Sequence, residues 1–346
     1  MLGFDFVQNI ELNPYTEYHG VIDQYGDVFT DDEHIAESEP TDWAWKQINV
    51  KPVWESGLSG KGIRIGHPDS GYKNHDELDA DRILENIDWD FYDEDQSALI
   101  EDVEGLHGLH VASILMSGKQ GKIQGIAPQA ELVPLRVTSS RPVLLRGSLR
   151  RLRDAINYAV AKQCDVISIS LGSKFITGGT GLEQAVKAAN DAGVIVVAAA
   201  GNYTFNLDIY PAAYPEVISC AASNAQRQPW TNSGWGDHVD VVAPGQSVWK
   251  ASYSQNQQQI IARGSGTSYA TPHVAGVAAL WLEKHGGRKK IMKEAKRQNV
   301  DHPGRAVSKA FRKALFASCD QTGFEHYYGH GLINAETTMQ QPLDFN

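Results

Sequence analysis

Beginning at Gly62, short apolar runs recur between segments of helical period: GIRIGH, then a helix from about His107, LVPLRV, a helix across 148–162, DVISISL, a helix across 180–192, and VIVVAAA. Strands separated by helix-length connections pair in parallel through crossover units. A chain built this way therefore folds as an α/β domain whose parallel sheet is covered on both faces. The later runs VISCAAS, HVDVVAP and QQIIARG are more closely spaced and predict added strands before the long apolar helix SYATPHVAGVAALWLEKH. With 346 residues, 42% of them hydrophobic, the chain has ample material for one large core.

In a doubly wound sheet, ligands gather beyond the carboxyl ends of the strands. The polar residues that close apolar runs are Asp69 after GIRIGHP, Ser170 and Gly172 at the end of DVISISLG, and Asn202 after VIVVAAAG. Two helix starts, EGLHGLH and GSGTSYATP, add His107 and Ser268, each behind turn-forming glycine. In GSGTSYATPHVAG the small residues permit close backbone approach, and Pro272 fits a helix only in its first turn, so Ser268 is expected at or beside a helix N-terminus. There its N–H has no intrahelical acceptor and the positive dipole end faces outward, an arrangement suited to a developing oxyanion. A serine before a helix also serves as a plain N-cap, so agreement among several features has to decide.

They agree. The segments PDSGY followed by HDEL, HGLHVAS, SISLG, AAAGN, GTSYATPHVAG and YYGHGLINAE stand in the order Asp, His, Ser across roughly residues 43–339. In them the chain resembles the subtilisin-like serine peptidases (family S8, the subtilases). The resemblance implies a three-layer, mostly parallel doubly wound sheet of the subtilisin type, and a serine endopeptidase that works through an acyl-enzyme. It implies Ser268 as nucleophile, His107 as general base and later acid, Asp69 as the carboxylate that orients the imidazole, and Asn202 as oxyanion donor beside the Ser268 N–H. His107 and His110 lie three apart on one helix, so spacing leaves both open as the base; the resemblance selects His107. His110 and His273 are then expected to be packing residues, and Asp76 and Asp79 to be solvated.

By the same resemblance, an extended peptide would pair with a strand edge supplied by Ser170, Leu171 and Gly172. Ala199, Ala200 and Gly201 would form a wall of the main specificity pocket. Counting back from the YPA turn puts Ile209 where the family often has glycine or another small residue. The expectation is a shortened pocket for small or medium apolar P1 side chains. The Tyr210-Pro211 pair matches a turn with a cis bond in the family.

The chain departs from the family pattern in places. His67 and Pro68 replace aliphatic residues before Asp69, and since proline lacks a ladder donor the strand should end or reach an edge by 68. Leu109 and Ser113 stand where threonine and glycine are typical. The stretch SGKQGKIQGIAPQAE is too short and too poor in Asn and Asp for a strong calcium loop. No cofactor is required on this reading, and at most weak calcium binding is expected.

Residues 1–40 are acidic and aperiodic and are read as an N-terminal extension, with a peptidase domain over 41–346. The extension could be an inhibitory strap, an arm that docks a partner, or simply the N-terminus of a form made without a propeptide. A net charge of -11 argues against a nucleic-acid partner, and no apolar run is long enough for a membrane span; the resemblance implies a protein or peptide substrate as the partner. The start shows no basic region followed by an apolar core, so a soluble protein, cytoplasmic rather than secreted, is expected. Three cysteines, Cys164, Cys220 and Cys319, suggest no disulfide framework, and the ten basic residues between 287 and 313 read as a solvated helix face.

Two other classes compete. An α/β-hydrolase requires a G-x-S-x-G elbow and the order Ser, Asp, His, whereas Ser268 lies in G-T-S-Y-A and comes last. A latent or regulatory peptide-binding subtilase would have lost triad residues, and none is lost. A peptide ligase or cyclase using the same acyl-enzyme differs only in the final nucleophile.

Overall fold

The computed structural model describes residues 40–101, 105–118, 121–139, 146–174, 179–203, 206–324 and 328–345. The expected extension thus lies outside the described residues, apart from Pro40. Two short helices, α1 (Trp43–Gln47) and α2 (Lys51–Glu55), lead to β1 (Arg64–Asp69) and β2 (Trp89–Asp90). Then follow α3 (His107–Met116), β3 (Glu131–Arg136), α4 (Arg146–Ala161), β4 (Val166–Ile169), α5 (Leu182–Asp191) and β5 (Ile195–Ala199). The remainder is β6 (Val217–Ser223), β7 (Val241–Pro244), β8 (Val248–Tyr253), β9 (Gln259–Gly264), α6 (Thr267–Lys284), α7 (Arg288–Arg297), α8 (Pro303–Ser318) and α9 (Ala335–Gln340).

Among the described residues, seven strands form one sheet in the order β2-β3-β1-β4-β5-β6-β7, and every strand pairing in it is parallel. The order reverses between β1 and β4, the switch point where such sheets open a crevice at their carboxyl edge. Period-two alternation divides the strands between two cores. Ile195 and Val197 of β5 pack with α3 and α6 on one face, while Val194, Val196 and Ala198 pack with α4 and α5 on the other. This gives the three-layer α/β architecture expected. Helix α6 is buried from Thr267 to Leu282, which explains why its sequence is apolar all round rather than striped.

At Pro68 the strand reaches an edge instead of ending: β1 runs on to Asp69, in register with Leu135 and Arg136 of β3, while its pairing with β4 stops at Gly66. The Asp69 carbonyl accepts from Val137 N (2.8 Å), so the alternate residue Pro68 turns toward β4, with which pairing has already ended at Gly66. The missing donor therefore costs no ladder bond. The expectation for Pro272 needs correction: it lies inside α6, five residues past its start at Thr267, not in the first turn. Its absent N–H would have met the Ser268 carbonyl, which instead accepts from the Ser170 hydroxyl at 2.8 Å. The strand β8 has no counterpart in the sequence reading, because VWKASY carries a lysine that the fold buries.

Candidate active site

Asp69 ends β1, wholly buried, and Oδ1 accepts from the backbone N–H of Ser70 and from His107 Nδ1, both at 2.7 Å. Burial alone would raise the carboxyl. The charge and hydrogen bond of His107, with smaller help from His67 and the Ser70 N–H, outweigh it and hold Asp69 below its ordinary range. His107 opens α3, and a carboxylate on Nδ1 fixes the tautomer with Nε2 unprotonated. Nε2 is buried and has no hydrogen-bond partner among the described residues.

Gly108 follows His107 because nothing larger fits: a β-carbon there would lie 1.8 Å from the Gly71 carbonyl oxygen. Its N–H donates to Ser70 Oγ (3.0 Å), and its carbonyl accepts from His67 Nε2 (3.0 Å). His67 is buried, and desolvation holds its pKa below the usual imidazole range despite the neighbouring Asp69. The atypical histidine before Asp69 thus clamps the start of α3 from beneath.

Ser268 is the second residue of α6 and is nearly buried, while Asn202 lies just beyond β5. Asn202 Oδ1 accepts from both the backbone N–H and the hydroxyl of Thr267, each at 2.9 Å. Thr267 Oγ1 in turn accepts from Gly201 N at 3.1 Å. With its oxygen spoken for, the amide presents Nδ2 toward Gly266. A β-carbon at Gly266 would sit 2.9 Å from Ser268 Oγ and 3.5 Å from Asn202 Nδ2, so this glycine keeps open the space the two groups share. An amide donor and the Ser268 hydroxyl therefore border one open space at the start of α6, an arrangement suited to transfer of an acyl group.

Of the residues expected to bind substrate, only Gly172 and Gly201 are partly exposed. Ser170 and Leu171 are buried, the first on the Ser268 carbonyl and the second in the core under α4 and α5. Ala199 and Ala200 are also buried, with Ala200 N bonded to the Cys220 carbonyl. Ile209 fills the gap between the two backbones: a β-carbon at Gly172 would lie 2.4 Å from Ile209 Cγ2, and one at Gly201 would lie 2.6 Å from Cγ1. The Tyr210-Pro211 peptide is cis.

His273 donates Nδ1–H to the Tyr269 carbonyl (2.9 Å) and is a packed helix residue. Sequence reasoning overlooked Thr267, Gly266, Tyr269 and Lys250. The first two were legible as part of the GTS turn; the other two are placed by tertiary packing alone.

No group of three or more His, Cys, Asp or Glu side chains arranged to hold a metal occurs among the described residues. One buried carboxylate, Glu77, has neither oxygen hydrogen-bonded, and its backbone carbonyl accepts from Gly118 N. Residues 117–130 contain no Asp or Glu to join it, so the carboxylates present do not fit the oxygen cage of a tight calcium site. No described helix is long and apolar enough to cross a membrane.

A family model described as the subtilase family matches residues 57–331. The chain is 32% identical over 294 residues to the minor extracellular protease Epr of Bacillus subtilis (strain 168), covering 84% of this chain and 40% of that protein. It is likewise 32% identical over 297 residues to thermitase of Thermoactinomyces vulgaris, covering 85% of this chain and 94% of the other. Among solved structures, a protease from Pseudoalteromonas arctica PAMC 21717 superposes with a TM-score of 0.71 at 23% identity, over 88% of this chain and 99% of that one, a likeness of fold. Nothing in these comparisons supports the cytoplasmic expectation, and one relative is named extracellular.

Proposed function

The chain belongs to the subtilase family and is a serine endopeptidase, and on that premise we propose that it cleaves peptide bonds with Ser268 as nucleophile, His107 as base, Asp69 as orienting carboxylate and Asn202 as oxyanion donor. The observation that carries this reading is the 2.7 Å bond from His107 Nδ1 to Asp69, which leaves Nε2 unprotonated and without a partner among the described residues.

In this mechanism the scissile carbonyl sits over Gly266. Ser268 Oγ attacks its carbon, and the Oγ proton passes to His107 Nε2. The imidazolium is stabilised by the buried Asp69 carboxylate, which stays ionised. The carbonyl oxygen becomes an oxyanion between Asn202 Nδ2 and the Ser268 N–H at the start of α6. Collapse gives the leaving amine the proton from Nε2. Water, activated by the same nitrogen, then releases the acyl group. No step requires a metal. A peptide ligase would differ only at the final nucleophile, and nothing in the site favours that reading.

Ile209, packed between Gly172 and Gly201, shortens the P1 pocket and supports a preference for small or medium apolar side chains. The test is a comparison of cleavage sites in a mixed proteome digested with the protein and with Ser268→Ala. Cuts present only in the former, after small or medium apolar residues, are expected. Identical digests would overturn the assignment of Ser268, and cuts mainly after Phe, Tyr or Lys would overturn the pocket.

A further inference from the structure

Behind the site, Lys250 of β8 is 2% exposed, an unusual location for an ammonium. Its Nζ lies 3.2 Å from His110 Nδ1 and 5.5 Å from the centroid of the Tyr269 ring, the residue next to Ser268. An ammonium can only donate, so His110 Nδ1 accepts, and its Nε2–H is left to donate to Ser252 Oγ at 3.0 Å. His110 is thereby fixed as a neutral imidazole: desolvation, then the charge of Lys250, then that of His107 hold its pKa well below the ordinary range. The Tyr269 ring neighbours both histidines, 6.1 Å from the His107 ring and 6.4 Å from that of His110. Room for the arrangement comes from Gly264, where a β-carbon would lie 2.7 Å from Lys250 Cε and 2.8 Å from the Tyr269 ring.

We propose that Lys250 is a positioning residue for catalysis: its ammonium, seated on His110 Nδ1 and the Tyr269 ring, holds that ring against His107 and opposes the imidazolium form of the base. This rests on His107 being the base. The groups facing His107 are Asp69 and His67 from β1, His110 from its own helix and Tyr269 from α6; Lys250 from β8 bears on it through His110 and the Tyr269 ring. Asp69 favours the charged imidazole and Lys250 disfavours it. The cation also lies on an aromatic face, an attraction worth most when desolvated.

The test is the pH profile of kcat/KM on a chromogenic peptide with a small apolar P1 residue. It compares the full chain with Lys250→Met, Lys250→Gln, Lys250→Arg and His107→Ala. The midpoint of the acid limb should move up by roughly half a pH unit or more in the Met and Gln variants, and remain near the parent's in the Arg variant. An unmoved midpoint in both neutral variants overturns the proposal, as does failure of all three Lys250 variants to fold, which would make the residue structural. Activity retained in His107→Ala instead overturns the underlying assignment of the base, so the two failures are distinguishable.

Discussion

The hydroxyl of Ser170, one residue beyond β4, donates to the main-chain carbonyl of Ser268 at 2.8 Å, in the position where Pro272 has no N–H to offer. A proline inside α6 thus frees a carbonyl that the strand end captures, and the capture ties Ser268, the proposed nucleophile, to β4.

Ser170→Ala should therefore leave that buried carbonyl unsatisfied and cost about 1–3 kcal/mol of stability. Denaturant unfolding in a Ser268→Ala background, where self-digestion cannot interfere, measures it. No loss of stability would mean that the bond contributes nothing to holding α6.

Among the described residues, Thr267 holds the Asn202 amide oxygen through its N–H and its hydroxyl. Thr267→Val removes one of the two bonds and should lower kcat by roughly tenfold with little change in KM, against about 10²–10³-fold for Asn202→Ala. Steady-state kinetics on one peptide substrate decides it. A Thr267→Val enzyme with parental kcat would show that the hydroxyl is not needed to aim the donor.

Replacing Ile209 with alanine should open the space between Gly172 and Gly201 and shift cleavage toward larger apolar P1 residues such as Phe. It should also cost about 2–5 kcal/mol for the cavity, since Ile209 is 2% exposed. A peptide library profiled on both proteins reads the shift. An unchanged profile would put the pocket base elsewhere.

His273, buried in α6, is depressed to about 4, first by desolvation, against the raising effect of its bonds to the Tyr269 and Ala270 backbone. Because its folded value lies below the unfolded one, the unfolded chain binds more protons between about pH 4 and 6.5. Stability is then full above about 6.5 and declines as pH falls toward 4, by about 3 kcal/mol from this residue alone. His67 and His110 are depressed in the same direction, and Asp69, also depressed, adds a loss at still lower pH. Unfolding midpoints of Ser268→Ala at pH 7 and pH 5 should differ, and His273→Gln in that background should narrow the difference. Equal midpoints at the two pH values would refute this account.

The architecture was legible because short apolar runs alternating with helical segments admit few folds; Asp69 and Asn202 could be picked out as polar residues closing those runs, and Ser268 as a residue at a helix start. What escaped was whatever depends on tertiary neighbours. Pro68 reads as a strand breaker, yet its missing donor faces a side where pairing has ended. Pro272 reads as a first-turn residue, but a serine 102 positions earlier in the chain takes its partner. Lys250 has no place in the reading of the sequence, and a side chain at Gly264 would collide with it where the fold buries it. His107 and His110 are equivalent by spacing; what separates them is that one meets Asp69 and the other meets Lys250.

The central claim is that Ser268 is the nucleophile activated by His107. Treatment of the folded chain with a fluorophosphonate probe, followed by peptide mapping, tests it most directly. A covalent adduct on Ser268 Oγ that disappears in His107→Ala is expected, whereas an unlabelled Ser268 in protein that cleaves peptides, or labelling that persists without His107, would overturn the assignment.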